Sequence, residues 1–484
     1  MLNSFQNRHQ KCYKKNKNID INTDINTDIN TDINTDINTD INTDINTDIN
    51  TYLGSRGYTI YKKELTEKQI KFIKEQLTFK PNIISPLSQV ESFSVYLECD
   101  KKIYVPKFWG IKHFGIPKEN KLSHGYNILI DFKGDLRDYQ YNVINSYLKA
   151  INFEQSDKIN YLTSSLISLG CGKGKTIIAL KIITILKKKT IIFVHKTFLK
   201  NQWIERINQF IPEASIGVIQ GEIIDIEKHD IVIAMIQSIS MKLYPKELFT
   251  TFGFSIYDEV HHMSSRVFCN CFKVVQTHYA LGLSATIERK DGLTNVLKLY
   301  LGEICFQDLT ETYNNVLVKL INYISIDDDF NEVLFDYRGN VKYSTMMTKL
   351  SNYNYRNDFI ITVILNELKN NLKQQILVLS HTKNVLNYFN NEFKKTNFSV
   401  GFYIGGMKDM ELKYSENKTI ILATYAMAAE ALDIKSLTTL VLATPKTDIT
   451  QAVGRILRSP HSQPVIIDFI DQHQVFLNQY KKRQ

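Results

Sequence analysis

Cysteine is scarce and scattered in this chain: Cys12, Cys99, Cys171, Cys269, Cys271 and Cys305 are all there is in 484 residues. No two have the spacing of a zinc ribbon, and their dispersion excludes a disulfide scaffold. The expectation is a reducing, intracellular setting with no structural metal. Long apolar runs are also missing. The stretch from Thr176 to Leu186 is broken by Lys181 and falls short of the roughly 20 residues that cross a bilayer. The opening MLNSFQNRHQKCYKKNKN has no apolar core of a signal peptide. A soluble protein without a membrane partner is therefore expected. With 43% hydrophobic and 23% charged residues, a fibrous or wholly disordered chain is excluded, and about three cores can be filled at ~150 residues each.

Charge is unevenly spread. Residues 1–18 carry five bases and no acid, and residues 19–51 carry eight aspartates and no base, so of the total +9 the remaining 433 residues hold +12. Such a surplus suits a protein that approaches a phosphate polyanion, although a lysine-rich solvated surface has the same composition. From Ile21 to Asp48 the tetrapeptide INTD repeats seven times. One Ile in four cannot build a buried helical stripe, and Asn, Thr and Asp compete with helical hydrogen bonds. A disordered tail over 1–51 is expected.

Residues 52–135 are aromatic-rich, with prolines at 81, 86, 106 and 117 and an alternating run Phe93-Ser94-Val95-Tyr96-Leu97, which predicts a small α+β accessory module. After Leu136, short apolar runs alternate with helical patterns. Ser165–Leu169, Thr190–Val194, Ile231–Ala234, Phe254–Tyr257 and Ala280–Leu283 read as buried strands, and Lys175–Lys187 and Leu199–Phe210 as helices between them. The texture returns in Gln375–Leu379, Lys418–Ala423, Thr439–Ala443 and Val465–Phe469. Two tandem α/β domains with parallel sheets, 136–308 and 309–484, are expected.

Ser168-Leu169-Gly170-Cys171-Gly172-Lys173-Gly174-Lys175-Thr176 is a strand running through a glycine-rich turn into a helix. Alternating glycines let backbone N–H groups curl around phosphate oxygens at a helix N-terminus. Lys175 would neutralise β/γ-phosphate charge and the Thr176 hydroxyl would ligate Mg2+. Leu169 stands where the usual pattern has its first glycine. About 80 residues on, the strand Ile256-Tyr257 ends in Asp258-Glu259. At the sheet edge from which the phosphate loop projects, Asp258 can hold Mg2+ and Glu259 can deprotonate an attacking water. Ser284-Ala285-Thr286 follows a further strand and suits a hydrogen-bonding relay. Arg455 and Arg458, three apart on a helix, could reach the γ-phosphate only from a second domain folded against the first, as arginine fingers from within the chain.

In this order the motifs resemble those of the superfamily 2 helicases of DExH type, over residues 136 to 470. Leu136-Arg137-Asp138-Tyr139-Gln140 looks like the adenine-recognising segment, with Gln140 and Arg137 as its contacts. Val194-His195-Lys196-Thr197 through Gln202-Trp203 resembles motif Ia and Ala234 through Ser238 motif Ib. Leu377 through His381 resembles motif IV, Ala423 through Asp433 motif V, and Gln451 through Arg458 motif VI. Within the superfamily, the Leu169–Thr176 and Ser284–Gly292 runs look closest to XPB-type helicases and their poxvirus-type relatives in large DNA viruses. The resemblance implies two RecA-like domains, ATP with Mg2+, and nucleotide contacts from Gly170, Cys171, Gly172, Lys173, Gly174, Lys175, Thr176 and Asp433. Gln451 would join Lys175, Glu259, Arg455 and Arg458 in catalysis. It further implies unwinding of or movement along DNA, with RNA as the alternative, strand contacts from Thr197, Gln237, Ser238 and Thr424, and transcription machinery as a partner. Motif V carries Ala431 where relatives have glycine. A nucleotide-gated binding module that does not hydrolyse, and a motor that tracks without separating strands, are the competing readings.

Overall fold

The computed structural model describes residues 49–80, 91–153, 161–170, 172–285, 287, 292–308, 316–430, 434, 436–456 and 463–483. The INTD repeats to Asp48 lie outside them, as do residues 309–315 of the interdomain joint expected near 305–315. The expected tail ended at Thr51, yet Ile49 is buried and Thr51 opens the first strand. The last, incomplete repeat is part of the fold.

Seven short strands come first: β1 (Thr51–Gly54), β2 (Gly57–Tyr61), β3 (Thr78–Phe79), β4 (Phe93–Ser94), β5 (Leu97–Glu98), β6 (Lys102–Val105) and β7 (Glu119–Asn120). Five of them form a sheet in the order β5-β6-β2-β1-β7, and β3 pairs with β4 separately. The run Phe93–Leu97, read as one strand, is thus two strands in two sheets. The five-stranded sheet is not a free-standing unit. Leu53, Tyr58, Ile60, Ile103 and Val105 point inward into a cluster they share with Tyr257, Val260, Phe272, Val296 and Tyr300 of the next domain. Polar bonds fix the docking: Tyr300 Oη donates to Val95 O at 2.6 Å, Tyr161 Oη to Pro117 O at 2.8 Å, and Lys107 Nζ to Thr163 Oγ1 at 2.8 Å.

The second sheet is built from β8 (Ser164–Ser168), β9 (Thr190–Val194), β10 (Ile216–Gln220), β11 (Ile223–Ile224), β12 (Ile231–Met235), β13 (Phe254–Tyr257), β14 (Tyr279–Ser284) and β15 (Ile304–Gln307). The order is β11-β10-β12-β9-β13-β14-β8-β15. All neighbours are parallel except the β10–β11 hairpin. Strands β8, β9, β12 and β13 are buried along their whole length, which is why they read as unbroken apolar runs. Helices Asp138–Ala150, Lys175–Leu186 and Thr197–Phe210 cover one face, and the accessory module with helix Thr294–Leu301 covers the other. Segment 126–130 already belongs here: Tyr126 N donates to Thr251 O, and Ile128 and Ile130 enter the helical-side core.

The third sheet, β16 (Leu317–Tyr323), β17 (Ile376–Ser380), β18 (Val400–Tyr403), β19 (Ile420–Thr424), β20 (Thr439–Leu442) and β21 (Val465–Asp471), is parallel throughout in the order β16-β21-β20-β17-β19-β18. Apolar clusters fill both of its faces. Arg356 crosses its interior in a bidentate pair with Asp471, both side chains fully buried, and gives a further N–H to Ala443 O at 2.9 Å. The α/β architecture with two parallel sheets is as expected, and among the described residues no helix is long and apolar enough to cross a membrane.

Candidate nucleotide site

Three adjacent strands, β13, β14 and β8, release their chains at one sheet edge. Loops after parallel strands open toward that edge, where α/β sheets bind ligands. After β8 comes the glycine turn. Gly172 and Gly174 have φ of 76° and 80°, a left-handed backbone that L side chains rarely adopt. Gly174 needs its missing side chain for a second reason, since a Cβ there would meet Gln140 Nε2 at 2.4 Å. The turn hands over to helix Lys175–Leu186, leaving its first N–H groups directed at the edge.

Lys175, 11% exposed, reaches back across this turn. Its Nζ donates to Leu169 O at 3.1 Å and lies 3.9 Å from Glu259 Oε1. Two residues 84 positions apart, expected to share a phosphate site, therefore do meet. Asp258 closes β13 and is buried. Its Oδ1 accepts the Glu259 N–H at 3.0 Å and its Oδ2 accepts the Trp203 indole N–H at 2.8 Å. Burial first, and then the neighbouring Glu259 charge, push the Asp258 carboxyl above the ordinary carboxylate range, against the pull of Trp203 and Lys175. Glu259 has a left-handed backbone, φ 47°, which turns its carboxylate back over the edge. Its Oε2 is buried without a hydrogen-bond donor among the described residues, with His261 Nδ1 3.4 Å away. An acceptor so placed fits a water molecule.

His261 Nδ1 also lies 2.9 Å from Ser284 Oγ at the end of β14. The strand-end hydroxyl expected to relay is thus one step from Glu259; Thr286 lies outside the described residues. Behind it stands a ladder of imidazoles, His261 to His262 and His262 to His195, each 4.2 Å between ring centres. Burial holds His195 below its ordinary pKa.

Gln140 and Arg137 were expected at the adenine. Gln140 is buried, its Oε1 accepting Arg137 N–H at 2.9 Å and its Nε2 donating to Lys173 O at 3.4 Å, so it braces the glycine turn from behind. Tyr139, to which no role was given, does the same with Oη donating to Lys173 O at 2.7 Å. Lys173 itself lies 3.6 Å from Asp308. Thr176 takes its place in the first turn of the helix. A carboxylate and a hydroxyl are hard oxygen donors, a set that fits Mg2+; among the described residues no group of three or more His, Cys, Asp or Glu forms a ready-made cage.

The candidate strand contacts divide. Thr197 is at the exposed start of its helix with Oγ1 accepting from Gln220 Nε2 at 3.4 Å, and Thr424 ends β19. Gln237 and Ser238 serve as braces instead: Gln237 Nε2 donates to His195 O and Ser238 Oγ accepts Gly221 N–H, both at 2.8 Å. Gln451 and Arg455 lie in helix Thr450–Ile456, whose Ala452 is buried in the second domain's core. Their side chains, like Cys171, Asp433 and Arg458, lie outside the described residues. Helix Thr197–Phe210 spans the two domains, with Phe198 packed on both cores and Asn201 Nδ2 donating to Asp409 Oδ2 at 2.7 Å.

Residues 133–289 match the family described as "Type III restriction enzyme, res subunit". A protein of Acanthamoeba polyphaga mimivirus, named for ATP-dependent RNA helicase activity, is 35% identical over 444 residues, 88% of this chain and 83% of that one. A helicase-named protein of Invertebrate iridescent virus 6 is 26% identical over 404 residues, 78% and 86% of the two chains. The DNA 3'-5' translocase XPB2 of Sulfurisphaera tokodaii is 33% identical over 183 residues, 38% of each. With a lysine of the glycine turn beside an Asp-Glu pair on a parallel sheet, and a relative matched over most of both lengths, this chain belongs to the superfamily 2 helicases, ATP hydrolases that act on nucleic acid.

Proposed function

We propose that the chain couples ATP hydrolysis at the edge of β8 and β13 to movement along DNA, separating its strands, with residues 126–308 and 309–484 as the two halves of the motor, 49–125 as an accessory module and 1–48 as a tail. The observation that carries this is the 3.9 Å approach of Lys175 Nζ to Glu259. A cation held over a carboxylate pair at the mouth of a glycine turn is placed to transfer to phosphate oxygens when they arrive. Backbone N–H groups of residues 172–176 then cradle the phosphates. Asp258 and the Thr176 hydroxyl would hold Mg2+, which when bound would neutralise phosphate charge. Glu259 orients a water at its buried Oε2 and takes its proton. Arg137 meets adenine while Gln140 holds the glycine turn from behind through Lys173 O, and Asp433 and Gln451 border the nucleotide from the other side. Arg455 and Arg458 stabilise charge on the transferred phosphoryl group.

Strand contacts fall to Thr197 and Thr424, and contacts of this kind act on the backbone and carry no base readout. DNA and 3'-to-5' movement are favoured by the likeness to a translocase of that name. Family resemblance extends the proposal to transcription machinery as a protein partner. Lys175→Ala and Glu259→Gln should each abolish multiple-turnover phosphate release, and single strands should stimulate the wild type. Wild-type turnover in both variants would reject the site. A rate indifferent to every polynucleotide would reject the motor. Tailed DNA, RNA and hybrid duplexes compared side by side separate DNA unwinding from the RNA alternative and from tracking alone.

A further inference from the structure

The accessory sheet has one face in the shared core; its other face, where Tyr52, Tyr61, Tyr104 and Lys102 are part-exposed around a buried Thr59, is chemically unusual. Pairing puts Tyr52 opposite Thr59, Thr59 opposite Tyr104, and Tyr61 opposite Lys102. Since side chains alternate across a strand, Tyr52, Tyr61, Tyr104 and Lys102 all stand on the side away from buried Leu53, Tyr58, Ile60 and Ile103. The Tyr52 and Tyr61 rings are 6.1 Å apart. Cations lie against all three: Lys102 over Tyr52 and Tyr61 at 5.1 and 4.8 Å, Lys121 over Tyr52 at 4.5 Å, Lys63 over Tyr61 at 5.9 Å, and Arg56 over Tyr104 at 5.2 Å.

The face could be no more than the solvated side of an antiparallel sheet, where tyrosine and threonine are common. Charge argues for more. Of the nearby acids, Glu98 is matched by Lys62 and Lys74, each at 2.8 Å, and Glu119 by Lys121 at 2.6 Å. Arg56, Lys63 and Lys102 are left with aromatic partners and no carboxylate within ion-pair distance among the described residues. Aromatic rings interleaved with unneutralised cations on an open sheet match the two parts of a single strand, π-faced bases and a phosphate backbone.

We propose that this face is a second nucleic-acid site, binding a single-stranded segment by stacking bases on Tyr52, Tyr61 and Tyr104 while Arg56, Lys63 and Lys102 hold its phosphates. The inference rests on the helicase reading for the polymer but not on the nucleotide site. Docked through the shared core, the site would hold the strand against the first motor domain while the second domain moves, and so keep the chain from dissociating between steps.

The test uses the full-length, nucleotide-free protein and a fluorescein-labelled oligothymidylate, with anisotropy as readout. Combined Tyr52→Ala, Tyr61→Ala and Tyr104→Ala should weaken binding by about tenfold or more, given the worth of base stacking. Lys63→Gln with Lys102→Gln should flatten the slope of log affinity against log salt by about 1.4, at ~0.7 per lost contact. Circular dichroism and melting serve as folding controls. Independently of any variant, photo-crosslinking of wild type to an iodouracil-containing strand should label peptides carrying Tyr52, Tyr61 or Tyr104. Unchanged affinity and salt slope in folded variants, or crosslinks confined to other domains, would overturn the proposal. So would an equal loss for blunt duplex and single strand, which would mean charge without stacking. A wild type that binds no polynucleotide would instead overturn the helicase reading itself.

Discussion

Trp203 shows how one side chain can join distant parts of the site. It is 1% exposed, sits midway along helix Thr197–Phe210, and gives its only N–H to Asp258 Oδ2. The helix that carries it begins at the candidate strand contact Thr197 and touches the second domain through Phe198 and Asn201. A shift of that helix therefore reaches the Asp258 carboxylate directly. Trp203→Phe keeps most of the packing and removes the donor from a buried carboxylate, a bond to a charged group worth about 1.5–3 kcal/mol. The expected result is a turnover rate lower by about 10- to 100-fold, with melting close to wild type. A variant that turns over ATP normally would show that Asp258 needs no such support. The chain has two tryptophans, so Trp109→Phe leaves Trp203 as the one fluorophore. Its emission should change when nucleotide or single-stranded nucleic acid binds, a signal independent of turnover.

Among the elements, those buried on both faces were readable and those at edges were not. Thr190–Val194 and Phe254–Tyr257 match their apolar runs residue for residue, because a central parallel strand has to be apolar throughout. Edge strands such as β16, with Leu317, Val318 and Leu320 exposed, and the half-buried β10 carry weaker patterns and were missed. In the site, Lys175, Asp258 and Glu259 were legible because each belongs to a local motif. The contacts that Trp203, Tyr139 and Ser284 make were not, since their partners Asp258, Lys173 and His261 lie 55, 34 and 23 positions away, and no local spacing encodes such contacts. The docking of the accessory module was equally hidden, and it carries a titration signature. Burial pushes Lys107, on helix Lys107–Phe114, down to about 7, and pushes His278 down to about 3 with help from His124, Lys107 and Lys188. Both bases hold fewer protons folded than unfolded. Stability should therefore rise with pH from about 3 to 6.5 through His278, and again from about 7 to 10.5 through Lys107. Urea midpoints measured across the alkaline range should rise less steeply in Lys107→Met, where Lys189, Lys196 and Lys273, also held down by burial, still contribute, while the acid limb persists. A slope unchanged in that variant would place the titrating group elsewhere.

For the molecule as a whole, the two parallel sheets have different equipment. The first holds the phosphate turn and both carboxylates. In the second, the helix Thr450–Ile456, anchored by Ala452 in its core, bears Gln451 and Arg455, with Arg458 just beyond. Neither set hydrolyses ATP well alone if the positive charge on the transferred phosphoryl comes from the second domain, so the rate must depend on how the two domains meet. The rigidity of that second domain matters for the same reason. The Arg356–Asp471 pair, fully buried beneath β21, fixes helix Asn354–Asn370 to the strand edge, and breaking it by removing one partner costs about 3–5 kcal/mol. Substitution at the arginines separates the chemical from the structural contribution. Arg455→Ala and Arg458→Ala should each lower kcat by about 10^3-fold or more, the range for an arginine finger, while nucleotide affinity measured with a fluorescent analogue changes only a few-fold. Loss of binding in step with loss of rate would assign these arginines to the ground state. A rate within threefold of wild type in both would mean that the second domain acts on the strand alone and that the cleft carries no catalytic charge.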